Sequence, residues 1–236
     1  MLIRVLSDIH ANLPALEAVL ADPAGGQCES TVCLGDIVGY GAWPAECMDA
    51  VLPLCDACVQ GNHDAGVAGV EPLDRFNPAG RAAAEWTRSV LSPRNAGALA
   101  ALPLVARFEG LLLCHAFPPD PSSFTYVLHP AVARACLEAF PDESMVIGHT
   151  HLPALWNGRG RASAGPSGDL PLPCVLNAGS VGQPRDGDPR AAWLLIDTEA
   201  RTWRHLRTSY DIDRAARGIR SAGLPEVLWR RLYGGY

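Results

Sequence analysis

"LIRVLSDIHANLPALEAVL", residues 2–20, holds the pattern that organises the whole chain. Residues 2–7 are a short apolar run suited to a buried strand. From Leu13 the apolar residues change to helical spacing, at Leu13, Leu16, Val19 and Leu20, and Pro14 is tolerated in a first turn. Asp8 and His10 stand at the junction. In open α/β sheets, sites form outside the carboxyl ends of the strands, so this junction is where a ligand is expected.

The unit recurs along the chain. "STVCLGD" (30–36) reads as a second strand and "AWPAECMDAVL" (42–52) as a second helix. "ACVQGNHD" (57–64) reads as a third strand running into a loop. Asn77-Pro78 and Ser92-Pro93 each look like an N-cap with Pro in the first helical position. Residues 110–116, 144–150, 173–180 and 191–197 are further strands, and the Gly-, Pro- and Ser-rich stretch 157–173 is a loop or hairpin connection. Residues 211–232 close the chain as helix, broken at Gly223-Leu224-Pro225. There is no internal repeat or interdomain linker, and the chain is read as a single domain over residues 1–236.

Five strand ends carry ligand-type side chains: Asp8 and His10, Asp36, Asn62 and His63, His115, then His149 and His151. In an extended segment residues i and i+2 share a side, so Asp8 with His10, and His149 with His151, are each expected to serve one site together. A lone strand-end Asp is most often a helix cap, and a lone His a hydrogen-bonded core or surface group. Five such clusters in the same position relative to their strands are not explained that way. Asp and Asn oxygens together with several imidazoles suit divalent Mn, Fe, Zn, Ni or Co rather than Ca. Even with one of these eight set aside, seven ligands exceed one ordinary site and suit two ions that share a carboxylate.

Composition narrows the partners. The formal net charge is −6 and 48% of residues are hydrophobic. That argues against long nucleic acid, whose partners carry basic patches. No apolar run approaches the roughly 18–20 residues of a membrane span. Charge appears at Asp8, too early for a signal peptide, so a cytoplasmic protein is expected. Among eight cysteines, Cys55 and Cys58 form the one CxxC, with no second pair to complete a structural zinc site; they read as small buried residues. The arginines at 201, 204, 207, 214, 217 and 220 read as solvated faces.

"SDIHAN", "LGDIVGYG", "GNHD", "LCHAFP" and "IGHTH" resemble, in that order, the motifs of the calcineurin-like metallophosphoesterases. The nearer resemblance is to small prokaryotic phosphoesterases related to diadenosine tetraphosphatases and Ser/Thr protein phosphatases. "FNPAGRAAAEWTRSVL", "NAGSVGQPRDGDPRAAW" and the closing "YDID…IRSAGLPE" extend it over nearly the whole chain. The resemblance implies a four-layer α/β/β/α sandwich of two mixed sheets flanked by helices. It implies Asp8, His10 and His151 as ligands of one metal, and Asn62, His115 and His149 as ligands of a second, with Asp36 bridging the two. It implies His63 as the catalytic histidine and Asp64 as its orienting partner. Two departures are mild: "CHAF" where relatives often have Gly after the His, and "GYGA" for a frequent "GYGP".

The implied chemistry is hydrolysis of phosphoesters by an activated water between two divalent ions, manganese favoured, with His63 as proton donor. In the loop "NAGSVGQPRDGD" (177–188), Ser180 and Arg185 are candidates for holding phosphate, against a tight turn and a surface salt bridge. The expected substrate is a small phosphoester or nucleotide. A nuclease, a cyclic-nucleotide phosphodiesterase and a catalytically inactive scaffold are the alternatives, and a homo-oligomer is compatible with all of them.

Overall fold

A computed structural model describes residues 1–159 and 165–236. The first apolar runs become β1 (Leu2–Leu6), α1 (Leu13–Leu20), β2 (Ser30–Cys33), α2 (Pro44–Val51) and β3 (Ala57–Cys58). Three helices follow, α3 (Asn62–Ala68), α4 (Pro78–Val90) and α5 (Pro93–Ala100). Asn77 and Ser92 cap α4 and α5 through side-chain oxygens, as their sequence context predicts. Next come β4 (Val105–Phe108), β5 (Leu111–Cys114), α6 (Pro130–Ala139), β6 (Ser144–Ile147), β7 (Ala154–Asn157), β8 (Ser167–Asp169) and β9 (Cys174–Asn177). β10 (Ala191–Asp197), β11 (Thr202–Thr208), α7 (Ile212–Ser221) and α8 (Glu226–Gly234) complete the order.

The strands form two mixed sheets, β3-β2-β1-β10-β11-β8 and β4-β5-β6-β9-β7. β1–β2–β3 are parallel in the first and β5–β6–β9 in the second. The strand sequences explain why both faces of each sheet are covered. Ile3, Val5, Leu194 and Ile196 meet Leu111, Leu113, Val146 and Leu176 between the sheets. Their alternate neighbours Leu6, Trp193 and Leu195 pack under α1 and α2, and Leu112, Met145, Ile147 and Val175 pack under α6. A strand buried on both faces needs a continuous apolar run, which is what these segments have. The result is the expected helix/sheet/sheet/helix sandwich. No helix among the described residues is long and apolar enough to cross a membrane.

Three expectations are corrected. The "GNHD" segment is not a strand running into a loop: β3 ends at Cys58, and Asn62 opens α3, with Gly61 as its extended N-cap. Residues 202–208 are a strand, not a solvated arginine face. Trp203 is buried between the sheets and Arg207 pairs with Asp186, while Arg204 is exposed as expected. The 157–173 connection contains β8, which pairs with β11; residues 160–164 lie outside the described residues. All eight cysteines are free thiols.

The ligand-type residues sit just past the strand ends. Backbone bonds carry the sheet pairing into these loops: Asp8 N–H donates to Gly35 O, His10 N–H to Asp36 O, and Gly182 N–H to Asp8 O. The loops of the first sheet are thereby fixed to one another and to the 178–188 loop before any side chain is considered.

Candidate metal centre

The extended i, i+2 geometry does not apply at this edge. Asp8, His10, Asp36, His149 and His151 all have positive φ, between 50° and 67°. Left-handed backbone at a non-glycine residue costs on the order of 1–3 kcal/mol and collects at functional sites. Here it turns each side chain inward, where the chain would otherwise continue outward.

The side chains converge into two adjoining groups. Asp8, His10 and His151 form one; Asp36, His115 and His149 form the other; His10 also groups with Asp36 and His63. Thus the two histidines of "GHTH" face different groups, not one. His151 Nε2 lies 3.1 Å from His10 Nε2 and 3.2 Å from Asp8 Oδ1, whereas His149 Nδ1 lies 3.2 Å from His115 Nε2. Asp36 Oδ2 stands between the groups, 3.7 Å from His10 Nε2 and 3.3 Å from His115 Nε2.

The outer contacts decide which atoms are available. His10, His115 and His151 each place Nδ1 against a backbone carbonyl, of Val38 (3.1 Å), Leu34 (2.7 Å) and Gln183 (2.5 Å). A carbonyl only accepts, so these nitrogens carry a proton; Nε2 is the atom left for a ligand, a bare lone pair in the neutral ring and a displaceable N–H in the imidazolium that Asp36 favours at His115. Two such lone pairs facing each other at 3.1 Å repel unless a cation or proton lies by them. Asp8 Oδ2 accepts from Ser7 Oγ–H (2.6 Å) and His149 N–H (3.0 Å), while its Oδ1 is buried without a hydrogen-bond partner. Asn62 Oδ1 is likewise buried and unpartnered. Buried acceptors without donors are costly. Two of them beside a set of bare imidazole nitrogens fit a borderline divalent metal, and the residues present suit that group.

Burial pushes the Asp8 and Asp36 carboxyls up, but His151 acting on Asp8, and His115 and His63 acting on Asp36, outweigh it. Both stay ionised well below the usual range. Burial also lowers the imidazoles, His10 well below its ordinary value, His149 to about 3 and His63 to about 4. For His115 the same burial is overcome by the Asp36 carboxylate, and its pKa rises to about 9.

His63 is at the second position of α3, 3% exposed, and its ring is held by aromatic neighbours: Tyr40 at 4.3 Å and Phe76 at 4.8 Å between centroids. Asp64, implied as its orienting partner, has its hydrogen bonds elsewhere. Its carboxylate accepts from Val38 N–H (3.2 Å) and Gly61 N–H (3.1 Å), tying the start of α3 to the Asp36 loop. His63 Nδ1 has no hydrogen-bond partner. Burial, then the Asp36 charge, raise the Asp64 carboxyl to about 7.

A cavity of about 170 Å³ opens over the cluster, with Asp36, Asn62, His63, His149 and His151 at its base and Arg75 and Arg185 at its walls. Ser180 is not among its lining residues. It is fully buried, donates to Asp8 O and accepts from Gln183 N–H, so its hydroxyl holds the loop and is not open to a ligand. Arg190 is paired with Asp188 at the surface. Sequence reading missed the aromatic walls, Tyr40, Phe76, Phe124 and Tyr126. Tyr126 stacks on His149, with centroids 4.0 Å apart and planes 18° from parallel. No spacing in "SSFTYVLHP" signals that contact, which exists only because the loop after β5 folds back over the loop after β6.

Residues 1–201 match the calcineurin-like phosphoesterase superfamily domain. The chain is 37% identical over 242 residues to an uncharacterized protein of Methanocaldococcus jannaschii, covering 99% of this chain and 98% of that one. It superposes on the crystal structure of a metallophosphoesterase from Sphaerobacter thermophilus with a TM-score of 0.89 at 36% identity, over 100% of this chain and 99% of that one. The crystal structure of a hypothetical protein from Pyrococcus horikoshii shares the fold, with a TM-score of 0.83 at 20% identity over 100% and 98% of the two chains. The protein belongs to the calcineurin-like phosphoesterase superfamily, a metal-dependent family of hydrolases that act on phosphoric esters.

Proposed function

We propose that this chain, acting as one domain, hydrolyses small phosphoesters or nucleotides at a pair of divalent ions, with manganese the favoured metal. Asp8, His10 and His151 would hold one ion and Asn62, His115 and His149 the other, with Asp36 between them. The observation that carries this reading is the division of labour within Asp36. Its Oδ1 is tied to His63 N–H at 2.8 Å, and its Oδ2 is left facing both groups. When bound, such ions neutralise phosphate oxygens and acidify a water.

The chain's own residues do the rest. The carbonyls of Val38, Leu34 and Gln183 lock three imidazoles in the tautomer that presents Nε2. His63 is neutral at pH 7 in its buried setting. An anionic phosphate beside it favours the imidazolium, which then has a proton to give to the leaving oxygen. Arg185 at the cavity wall supplies a fork of N–H donors to a phosphate. The aromatic walls suit a planar group on the ester, and the small cavity and acidic chain disfavour a nuclease of long duplexes.

The test is a panel of aryl phosphate mono- and diesters and nucleotides, run with manganese-loaded protein and again after chelation, with metal content measured on the same samples. Turnover that appears with manganese and vanishes with chelator is expected. Two bound ions with no turnover on any member would favour the binding-scaffold alternative.

A further inference from the structure

The family match ends at residue 201, yet the segment beyond it reaches the site. α8 packs Leu228 and Leu232 against α7 and Tyr40, and Gly187 N–H donates to Gly235 O at 2.8 Å. These contacts set Arg231 beside the 180s loop. There Gln183 Oε1 accepts from Arg231 Nη1 at 3.1 Å and from Arg185 Nη2 at 3.0 Å. Two guanidinium groups thus meet at one neutral oxygen.

The Tyr40 ring lies 5.9 Å from the Arg185 guanidinium, but no full negative charge of the described residues answers the pair. Among the described residues neither arginine pairs with a carboxylate. The acidic residues of the same loop are engaged elsewhere, Asp186 with Arg207 and Asp188 with Arg190. The Nε–H of Arg185 and that of Arg231 are both buried and lack an acceptor. Like charges held together, each with an unused donor, define the requirements of a missing partner: an anion with several oxygens, as a phosphate has. The place is also fixed relative to the metal centre. Gln183 is 1% exposed, its backbone carbonyl holds His151 Nδ1, and Arg185 N–H donates to His151 O.

We propose that Arg185 and Arg231 form an anion subsite that takes a second phosphate group of the substrate, directing the enzyme to phosphoesters that carry two phosphates. This rests on the phosphoesterase reading and narrows its substrate class. Arg185 lines the cavity, and Arg231, from beyond the matched residues 1–201, stands behind it at the shared Gln183 oxygen and adds a second positive charge there. A purely structural clasp of α8 by Gln183 would need only one of the two arginines.

The experiment uses the full chain in two states. Stripped of metal with chelator, the wild type is titrated with inorganic phosphate by calorimetry, alongside Arg231→Gln, Arg231→Lys and Arg185→Gln. Phosphate binding by the wild type, at least tenfold weaker in both Gln variants and intermediate in Arg231→Lys, is expected. Loaded with manganese, the same proteins are assayed on a nucleoside 5′-diphosphate and the matching monophosphate. The diphosphate-to-monophosphate ratio of kcat/KM should fall at least tenfold in Arg231→Gln, chiefly through KM. Melting temperatures without phosphate separate a clasp from a subsite, and if Arg231→Gln unfolds early, Arg231→Lys is read for the same ratio. Wild-type protein that does not bind phosphate, or an unchanged ratio, overturns the subsite. If the loaded wild type cleaves neither nucleotide while stripped protein binds phosphate through Arg231, the subsite stands and the phosphoesterase reading falls.

Discussion

The backbone N–H of His63 donates to Asp36 Oδ1 at 2.8 Å. The residue proposed as acid therefore also steadies, through its main chain, the carboxylate proposed to bridge the metals. The two roles are separable, because a side-chain substitution leaves the N–H in place. His63→Ala should keep its metal content and lower kcat by roughly 10²-fold, about 2.7 kcal/mol of transition-state stabilisation. Metal analysis and steady-state turnover on one preparation check this; full turnover on every substrate the wild type cleaves would show that His63 is not the acid.

Asp36→Asn has the opposite signature. Asp36 Oδ2 faces His10 from one group and His115 from the other. An amide presents a neutral oxygen or a donor there, so occupancy should fall at both positions together. Equilibrium dialysis against manganese should show fewer than one ion per chain. Loss of a single ion, with the other bound as tightly as in the wild type, would show that the carboxylate does not bridge.

Gly61 is where the start of α3 touches Asp36. A Cβ there would lie 2.1 Å from Asp36 Oδ1 and 2.4 Å from the Asp36 backbone nitrogen. The backbone atom has nowhere to retreat, so Asp36 must shift or α3 must lift away. Gly61→Ala should destabilise the metal-stripped protein by about 1–3 kcal/mol in urea unfolding, as overpacking does, and weaken metal binding as well. A variant as stable as the wild type would mean that the loops are not rigidly fixed together.

A pH effect is expected away from the metal centre, at His205. Its Nε2–H donates to Asn177 O at 2.7 Å, and burial, with the Arg207 charge opposing protonation, lowers its pKa to about 4. In the unfolded chain the value is about 6.5. Between pH 6.5 and 4 the unfolded state therefore binds more protons, so stability is complete above about 6.5 and falls as the pH drops towards 4. One such group accounts for about 2–3 kcal/mol over that window. His205→Gln keeps a donor to Asn177 and cannot charge, so its chevron midpoints should fall less steeply with acid than those of the wild type. Parallel curves would assign the acid sensitivity to other residues.

The apolar runs at residues 2–7, 144–150 and 191–197 identified strands buried on both faces, because two-sided burial demands uninterrupted hydrophobicity and that property is local. Most of the ligand-type residues were legible for the same reason, since Asp8, Asp36, His115 and His149 follow such runs closely, whereas Asn62 and His63 open a helix. How they face one another was not legible. His149 and His151 turn to different groups because their backbones take positive φ, and what holds them there is long-range, Asp8 for the His149 N–H and Gln183 O for His151 Nδ1. The "GNHD" segment becomes the start of a helix because Asp64 caps Gly61 and also Val38 in another loop. β11 was missed since Arg204 and Arg207 read as a solvated face, while Trp203 finds its partners only between the two sheets. Arg231 lies 46 residues after Arg185 in sequence, and only the docking of α8 brings both to one glutamine oxygen. Residue type and local period set the strands and the available donors, whereas contacts between distant segments, each worth little until the whole fold closes, decided which donors converge.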